Sequence, residues 1–512
     1  MKKVMTTALA LCLALTAVGC GKEKTPAGTG ENKVTYWAFF STQVSAGVDS
    51  MAQLPPYQKL MEDTGVEIEF IHPVMGQEKE KFNLMLASRD YPDILQYEFY
   101  QYKGGAQQAI DDGVIISMND IMASNAPNLK KYLDANPKID RMVKTDQGNY
   151  YTFPSLYGDP YLEVFSGLIM RQDYLDKIGE ARPETIDEWH TVLSKFQSQL
   201  GLGSPLSLST ENLYAFAQAY GSVPTLYVDG DRVKYGVLDD GYRQTLETMA
   251  QWYREGLLDN NIASIDAKAI TQNIVSGNSG AAFGNTGGGI GSWTNSLKDT
   301  PGAKLVPVKY PVLNKGDRPF YGHRINSYNI SGSASITTQC KNIEAAAKVL
   351  DYGYSDQGRM VFNFGIEGES YEMIDGYPTY TELMTNNPNG KSFSDMLGFY
   401  AAPNGTVPTI KDRRYMEQFS ALPAQKQSLE IWSETDAEQH LLPPVYLTAE
   451  ESTEVAAIKT DLESYVDTMT LKFITGIEPM SNYDTFLAEV KKLKADRYAE
   501  IYNQAYERYM NK

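Results

Sequence analysis

Only three of the 512 residues are cysteine and four are histidine, and basic residues are outnumbered, 46 Lys and Arg against 64 Asp and Glu, for a formal charge of −18 at pH 7. Each shortage excludes something. Cys12, Cys20 and Cys340 are too few for a disulfide framework. His72, His190, His323 and His440 are scattered, none has a partner at zinc spacing, and there is no HExxH or paired CxxC. The deficit of cations removes the electrostatic footprint of a nucleic-acid binder or of a protein held to anionic lipid by charge. Reaction motifs are missing too. There is no GxSxG elbow, and the glycines between Gly284 and Gly291 fit neither GxGxxG nor GxxxxGK[ST]. Gly390-Lys391-Ser392 has Thr385 where a phosphate-binding loop needs glycine. No catalytic residue, metal or cofactor is therefore expected. The carboxylates are too numerous for counting to exclude a glycosidase pair, but no local pattern singles one out.

What is present begins at the amino terminus. Lys2 and Lys3 precede an apolar run from Ala8 to Val18, and Gly19-Cys20 follows. Residues 1–19 read as a secretory signal, too short to span a membrane. Ala17-Val18-Gly19-Cys20 resembles a bacterial lipobox, with alanine where leucine is usual. Cleavage leaves Cys20 as the first residue, carrying lipid, and leaves Cys340 without a partner. Residues 20–32, rich in Gly, Pro and charge, form a flexible leash. No later apolar run approaches membrane-spanning length. The expected location is the extracytoplasmic face of the cell membrane, touched through the lipid alone.

Lys33–Phe40 is β-branched and aromatic and reads as a buried strand. A helix through Tyr57–Met61 stops at Thr64-Gly65, and Val66–Ile71 alternates as a second strand. A helix at Glu78–Ala87 and an apolar run at Asp93–Leu95 complete a β-α-β-α-β pattern, hence a parallel sheet with right-handed crossovers. Ligands of such sheets sit beyond the carboxyl ends of the strands, here Trp37–Phe40 and Gln96–Glu98. Thr185 reads as an N-cap with Glu188 at N3, Tyr242–Glu255 as a helix halted by Gly256, and Glu344–Tyr354 as an Ala-rich helix. Five glycines in eight residues, Gly284 to Gly291, precede a Ser292-Trp293 that looks exposed.

Tyrosine is abundant, 35 against 18 phenylalanines. Sugars have apolar C–H faces and hydroxyl rims. A flat ring covers the face, while carboxylates, amides and guanidinium groups pair with the rim. Trp37, Phe39, Tyr97-Glu98, Tyr161 with Glu163, and Trp293 fit that need, each against the alternative that its ring is simply core. Tyr498, Tyr502, Tyr506 and Tyr509, at helical spacing, read as packing surface.

Together these segments resemble the extracellular solute-binding proteins of family 1, the maltose-binding type, and in particular their long lipoprotein branch, which includes alginate-oligosaccharide binders. The resemblance is carried by Thr64–Ile68, Tyr91-Pro92-Asp93-Ile94, Gly148–Pro154, Arg171–Leu175, Pro183–Trp189, Leu246–Leu258, Ser276–Phe283, Glu344–Gly358, Phe364–Gly368 and the tail through Tyr509. It implies an α/β, two-lobed periplasmic-binding-protein type II fold with an interlobe ligand cleft. Lobe 1 is expected at 33–155 plus about 325–385, and lobe 2 at about 156–324 plus about 386–512. By the same resemblance Tyr97 stacks a sugar, Trp37 lies at the first strand's end, Trp293 serves from the second lobe and Glu163 lies near a crossing carboxylate. Arg324, at the second crossing, faces ligand or forms a salt bridge. Branch members carry a calcium loop after the DEW helix, but Gln197–Leu208 here lacks its carboxylates, so no calcium is expected there. The implied function is that of a monomeric, non-enzymatic carrier, delivering an oligosaccharide to an ABC permease by closing two lobes on it. The alternatives are a surface-anchored polysaccharide hydrolase or lyase, and the same fold holding a peptide or another small polar solute.

Overall fold

The computed structural model describes residues 32–40, 47–402 and 407–512. The expected signal peptide and the lipid-bearing Cys20 lie outside the described residues. The strands are β1 (Lys33–Trp37), β2 (Glu67–Ile71), β3 (Ile94–Gln96), β4 (Phe153–Tyr157), β5 (Ser166–Arg171), β6 (Leu206–Ser207), β7 (Leu226–Asp229), β8 (Arg232–Tyr235), β9 (Ala281–Asn285), β10 (Leu305–Pro307), β11 (Tyr328–Ile336), β12 (Tyr371–Ile374), β13 (Tyr377–Tyr380) and β14 (Thr409–Lys411). They form one six-stranded sheet, β14-β4-β11-β3-β1-β2, one four-stranded sheet, β10-β5-β9-β6, and the hairpins β7-β8 and β12-β13.

Local chemistry accounts for the first sheet. The helix Pro55–Thr64 opens on two prolines that need no N–H partner and ends where Gly65 takes φ 67°, the left-handed conformation that turns the chain into β2. β1 pairs in parallel with both β2 and β3, as the β-α-β-α-β pattern requires. Asp93 fixes the register. One of its carboxylate oxygens accepts from the backbone N and the hydroxyl of Thr35, both at 2.8 Å. Val34, Tyr36, Ile68, Ile94, Phe153 and Leu156 fill the core beneath.

The second sheet packs against the helix Ile186–Leu200, capped by Thr185 and Glu188 in a reciprocal box. Trp189, Phe216 and Trp252 interlock edge to face, with ring centres 5.2 and 5.4 Å apart. A helix at Pro423–Ser433 covers the sheet from the far end of the chain. Its Trp432 lies so close to Gly167 that a Cβ there would stand 2.5 Å from the indole, and Nε1 donates to Leu168 O at 3.3 Å.

Two boundaries differ from those expected from the sequence. The first sheet keeps the chain beyond residue 385, because β14 pairs in parallel with β4 at its edge. The last helix, Ala495–Met510, belongs to neither lobe alone. Tyr498 and Ile501 enter the second core, while Tyr506 and Tyr509 enter the first. Arg508 Nη2 donates to Tyr446 O at 3.0 Å, and the Lys512 ammonium lies 3.1 Å from Asp146, so the terminus is pinned to the first lobe. Among the described residues no helix is long and apolar enough to cross a membrane.

Candidate functional site

The pairing registers determine which sheet edges meet. β3 and β4 both run antiparallel to β11, so Gln96, Tyr157 and the start of β11 share one edge with the carboxyl ends of β1 and β2. In the second sheet Asn285 of β9 lies opposite Ser166, the start of β5, and β10 ends on that same edge. The chain crosses between these two edges at 158–165 and 308–327 and passes from one lobe to the other again at 420–422. The carboxyl ends of the strands of both sheets therefore face one another across the crossings, where ligands of open α/β sheets bind.

The crossings are stitched together by side chains. Glu163, 6% exposed, accepts from Arg324 Nη2 at 2.7 Å and from the Ser327 hydroxyl, and its carbonyl receives Ile325 N at 3.0 Å. Arg324 also reaches Glu438 at 3.6 Å, and Asn326 Nδ2 donates to Leu442 O at 3.1 Å. Glu163 and Arg324 thus satisfy each other as a hinge pair. The sequence left two roles open for Arg324; the structure shows the ion pair, and both Arg324 and Glu163 also line a cavity at the crossings.

On the first edge, Phe39 is half-buried, and its backbone N donates to Gln96 Oε1 at 3.3 Å. Trp37 does not form the wall. It is 2% exposed and packs edge to face beneath Phe39, with centres 5.3 Å apart. Tyr97 is half-buried with one face stacked on Phe82, centres 3.5 Å apart, and it flanks a cavity of about 530 Å³. Burial raises its hydroxyl pKa. Glu98 ties the loop after β3 to β11 by accepting from Ser331 and Gln101. Tyr161, half-buried, lies under the Arg413 guanidinium at 4.3 Å, and burial pushes its pKa up to about 12.

On the second edge the glycine run forms a π-helical turn, Thr286–Gly291, leading into a short helix. The sequence made Ser292-Trp293 look exposed, but Trp293 is 3% exposed and its Nε1 donates to Thr271 Oγ1 at 3.0 Å. The glycines explain the difference. A Cβ at Gly284 would strike the Trp293 ring at 2.7 Å, and one at Gly291 would meet the Gln425 amide at the same distance. Their lack of side chains lets the indole and the helix Pro423–Ser433 close in. Trp293 thereby becomes the floor of a cavity of about 590 Å³ whose rim carries Ser209, Glu211, Asn212, Asp266 and Asn285.

Pattern reasoning missed one aromatic group. Tyr214 meets Phe283 and Tyr321 edge to face, with centres 5.6 and 6.2 Å apart, and Phe165 packs on His323 at 4.2 Å. All five are half-buried along the second edge. Burial lowers the His323 pKa to about 4, so its ring is neutral at physiological pH. The useful signal was the position of Tyr321 and His323 on either side of a glycine in the second crossing. The loop after the DEW helix is tied down through Ser204. Asp259 accepts from Ser204 Oγ at 2.9 Å and from Asn273 Nδ2 at 2.6 Å.

The chain is similar to known proteins along most of its length. Residues 45–360 match the family model described as bacterial extracellular solute-binding protein. The chain is 23% identical over 483 residues to the fructooligosaccharide ABC transporter substrate-binding protein FusA of Streptococcus pneumoniae, covering 88% of this chain and 86% of that one. It is 23% identical over 333 residues to the melibiose/raffinose/stachyose-binding protein MelE of Bacillus subtilis, covering 63% and 71%. Among solved structures, an HMO-binding solute-binding protein from Bifidobacterium longum infantis superposes with a TM-score of 0.76 at 18% identity, over 94% of this chain and 99% of that one. The alginate-binding protein AlgQ2 superposes with a TM-score of 0.72 at 21% identity, over 94% and 99%.

Proposed function

The chain belongs to the bacterial extracellular solute-binding proteins, and from that premise we propose that it is the binding component of an ABC importer, capturing an oligosaccharide between its two lobes. The observation that carries the proposal is the facing of two carboxyl-end sheet edges, each lined by half-buried aromatic rings with carboxylates and amides beside them. A sugar ring needs that combination of apolar face and polar rim. FusA and MelE, related along most of their length, carry sugar-binding names, which supports the same ligand class.

The mechanism is a shift of population between open and closed forms. A ligand touching one lobe stabilises both forms equally, whereas one bridging Phe39 or Tyr97 to Phe283 or Tyr214 favours the closed form by its additional contacts. Moving the ratio from 1:99 to 99:1 requires about 5.5 kcal/mol of differential binding, within reach of a few stacked rings and their hydrogen bonds. The Glu163–Arg324 pair keeps the crossings in register while the lobes move. No step alters the ligand, so the protein is a carrier and not an enzyme. We further propose a monomer anchored through lipid on Cys20, a reading supported by the lipobox-like sequence and by similarity to the Bacillus subtilis lipoprotein LipO.

Thermal-shift screening of the purified chain against neutral oligosaccharides and peptides, with mass spectrometry of the recovered ligand, tests the proposal. Stabilisation by saccharides recovered intact is expected. Stabilisation by peptides alone, or recovery of shortened glycans, contradicts it.

A further inference from the structure

Ten large apolar side chains are exposed among the described residues, and four of them, Ile71, Val74, Met75 and Leu84, lie within fourteen residues, each 42–61% exposed. Ile71, Val74 and Leu84 line a groove of about 670 Å³ between the end of β2 and the helix Glu78–Ser88, with Trp37 at its base. A surface helix ordinarily turns its apolar side chains to the core. This one buries Phe82 alone, stacked on Tyr97 and edge to face with Phe99, centres 3.5 and 6.0 Å apart, and leaves Leu84 in solvent. Folding leaves this apolar surface uncovered, which marks an interaction site.

Location and charge indicate the partner. β14, β4 and β11 lead into or out of the crossings, and β2 is the opposite edge of the six-stranded sheet, so the groove lies on the side of the first lobe farthest from the hinge. The leash joins at Lys33, the start of β1, which pairs along its whole length with β2. Its thirteen residues reach at most about 45 Å, which keeps this side of the lobe within range of the outer loops of a membrane protein. Residues 67–93 hold six carboxylates against three basic side chains. That surround repels an anionic lipid surface and complements an apolar protein segment flanked by basic residues. Every residue lining the groove belongs to the first lobe, so closing the lobes leaves the groove as it is.

Resting on the importer reading above, we infer that this groove seats an extracytoplasmic loop of the importer's membrane subunits, a segment with apolar side chains between basic ones. The contact is made with the lobes open or closed, so the carrier is already docked when it captures its ligand.

The test uses the full chain in cells of the source bacterium, with the photoreactive residue p-benzoylphenylalanine in place of Val74, of Leu84 or, as a control, of Ile374 on the hairpin β12-β13. Irradiation is expected to join positions 74 and 84, but not 374, to a multi-spanning permease subunit identified by mass spectrometry, in equal yield with and without saccharide. The double variant Val74→Ser with Leu84→Ser is expected to keep the native melting temperature and the native thermal shift with the screened saccharides. Its uptake of the saccharide giving the largest shift should fall at least tenfold. Adducts with lipid or with a second copy of this chain alone, adducts formed only when saccharide is present, or undiminished uptake in the double variant overturn the inference and leave the importer reading standing. The importer reading itself falls if deleting the native chain leaves uptake of every screened saccharide unchanged.

Discussion

The two sheet edges that face each other are built from the same materials in different order. On the first edge the rings stack on one another, Tyr97 on Phe82 and Phe40 on His72, and the carboxylate of Glu98 is held by hydroxyl and amide donors. On the second, a glycine turn lets a helix close in, and the rings of Tyr214, Phe283 and Tyr321 meet edge to face above it. On both edges the tryptophan has sunk one layer. Trp37 and Trp293 are 2% and 3% exposed, while smaller rings above them remain half-exposed. The largest ring gains most from leaving water, so it becomes the floor and the smaller rings form the wall. The difference between floor and wall can be measured residue by residue.

The largest effect is expected from removing a floor. Trp293→Ala should destabilise the ligand-free protein by about 3–5 kcal/mol, because it leaves a cavity beneath the glycine turn. Chemical denaturation checks this, and loss of affinity without loss of stability would return Trp293 to the wall. Breaking the hinge pair comes next. Arg324→Met leaves Glu163 buried without its counter-charge and should lower stability by about 3 kcal/mol. The double variant with Glu163→Gln should recover part of that loss, a coupling that a double-mutant cycle measures.

A third prediction concerns pH. His323 has a folded pKa of about 4, below its ordinary 6.5, so between those values the unfolded chain binds the extra proton. Stability should therefore be full above about pH 6.5 and fall towards pH 4, by on the order of 2 kcal/mol. His323→Phe should flatten the curve in that window, as melting curves across a pH series would show. The smallest stability effect is expected at the wall. Phe283→Ala should lower stability by only about 1 kcal/mol while weakening saccharide binding at least tenfold, read by calorimetric titration. Equal losses at Phe283 and Trp293 would erase the distinction between the layers.

Much of the fold was legible in the sequence because its signals are local. Glycine at Gly65, the box of Thr185 with Glu188, and the alternation of Val66–Ile71 act within a few residues, and the elements form where those signals place them. Asp93 was readable as part of a motif, though not as the clamp on Thr35. The lobe boundary near residue 385 failed because nothing near Thr409 reveals that its strand pairs with one more than 250 residues earlier. The site was less legible for the same reason. Whether an aromatic ring is floor or wall depends on neighbours distant in sequence. Trp293 is covered through glycines that the helix Pro423–Ser433 fills, and Arg324 finds Glu163 161 residues away. The half-exposed rings Phe165, Tyr214 and Phe283 carry no spacing that separates them from core.

Small-angle scattering of the full chain, before and after addition of a saturating saccharide, tests the closing of two lobes on an unaltered sugar most directly. A smaller radius of gyration, with the sugar recovered at its original length, is predicted. An unchanged radius at saturation, or a shortened sugar, would contradict the account.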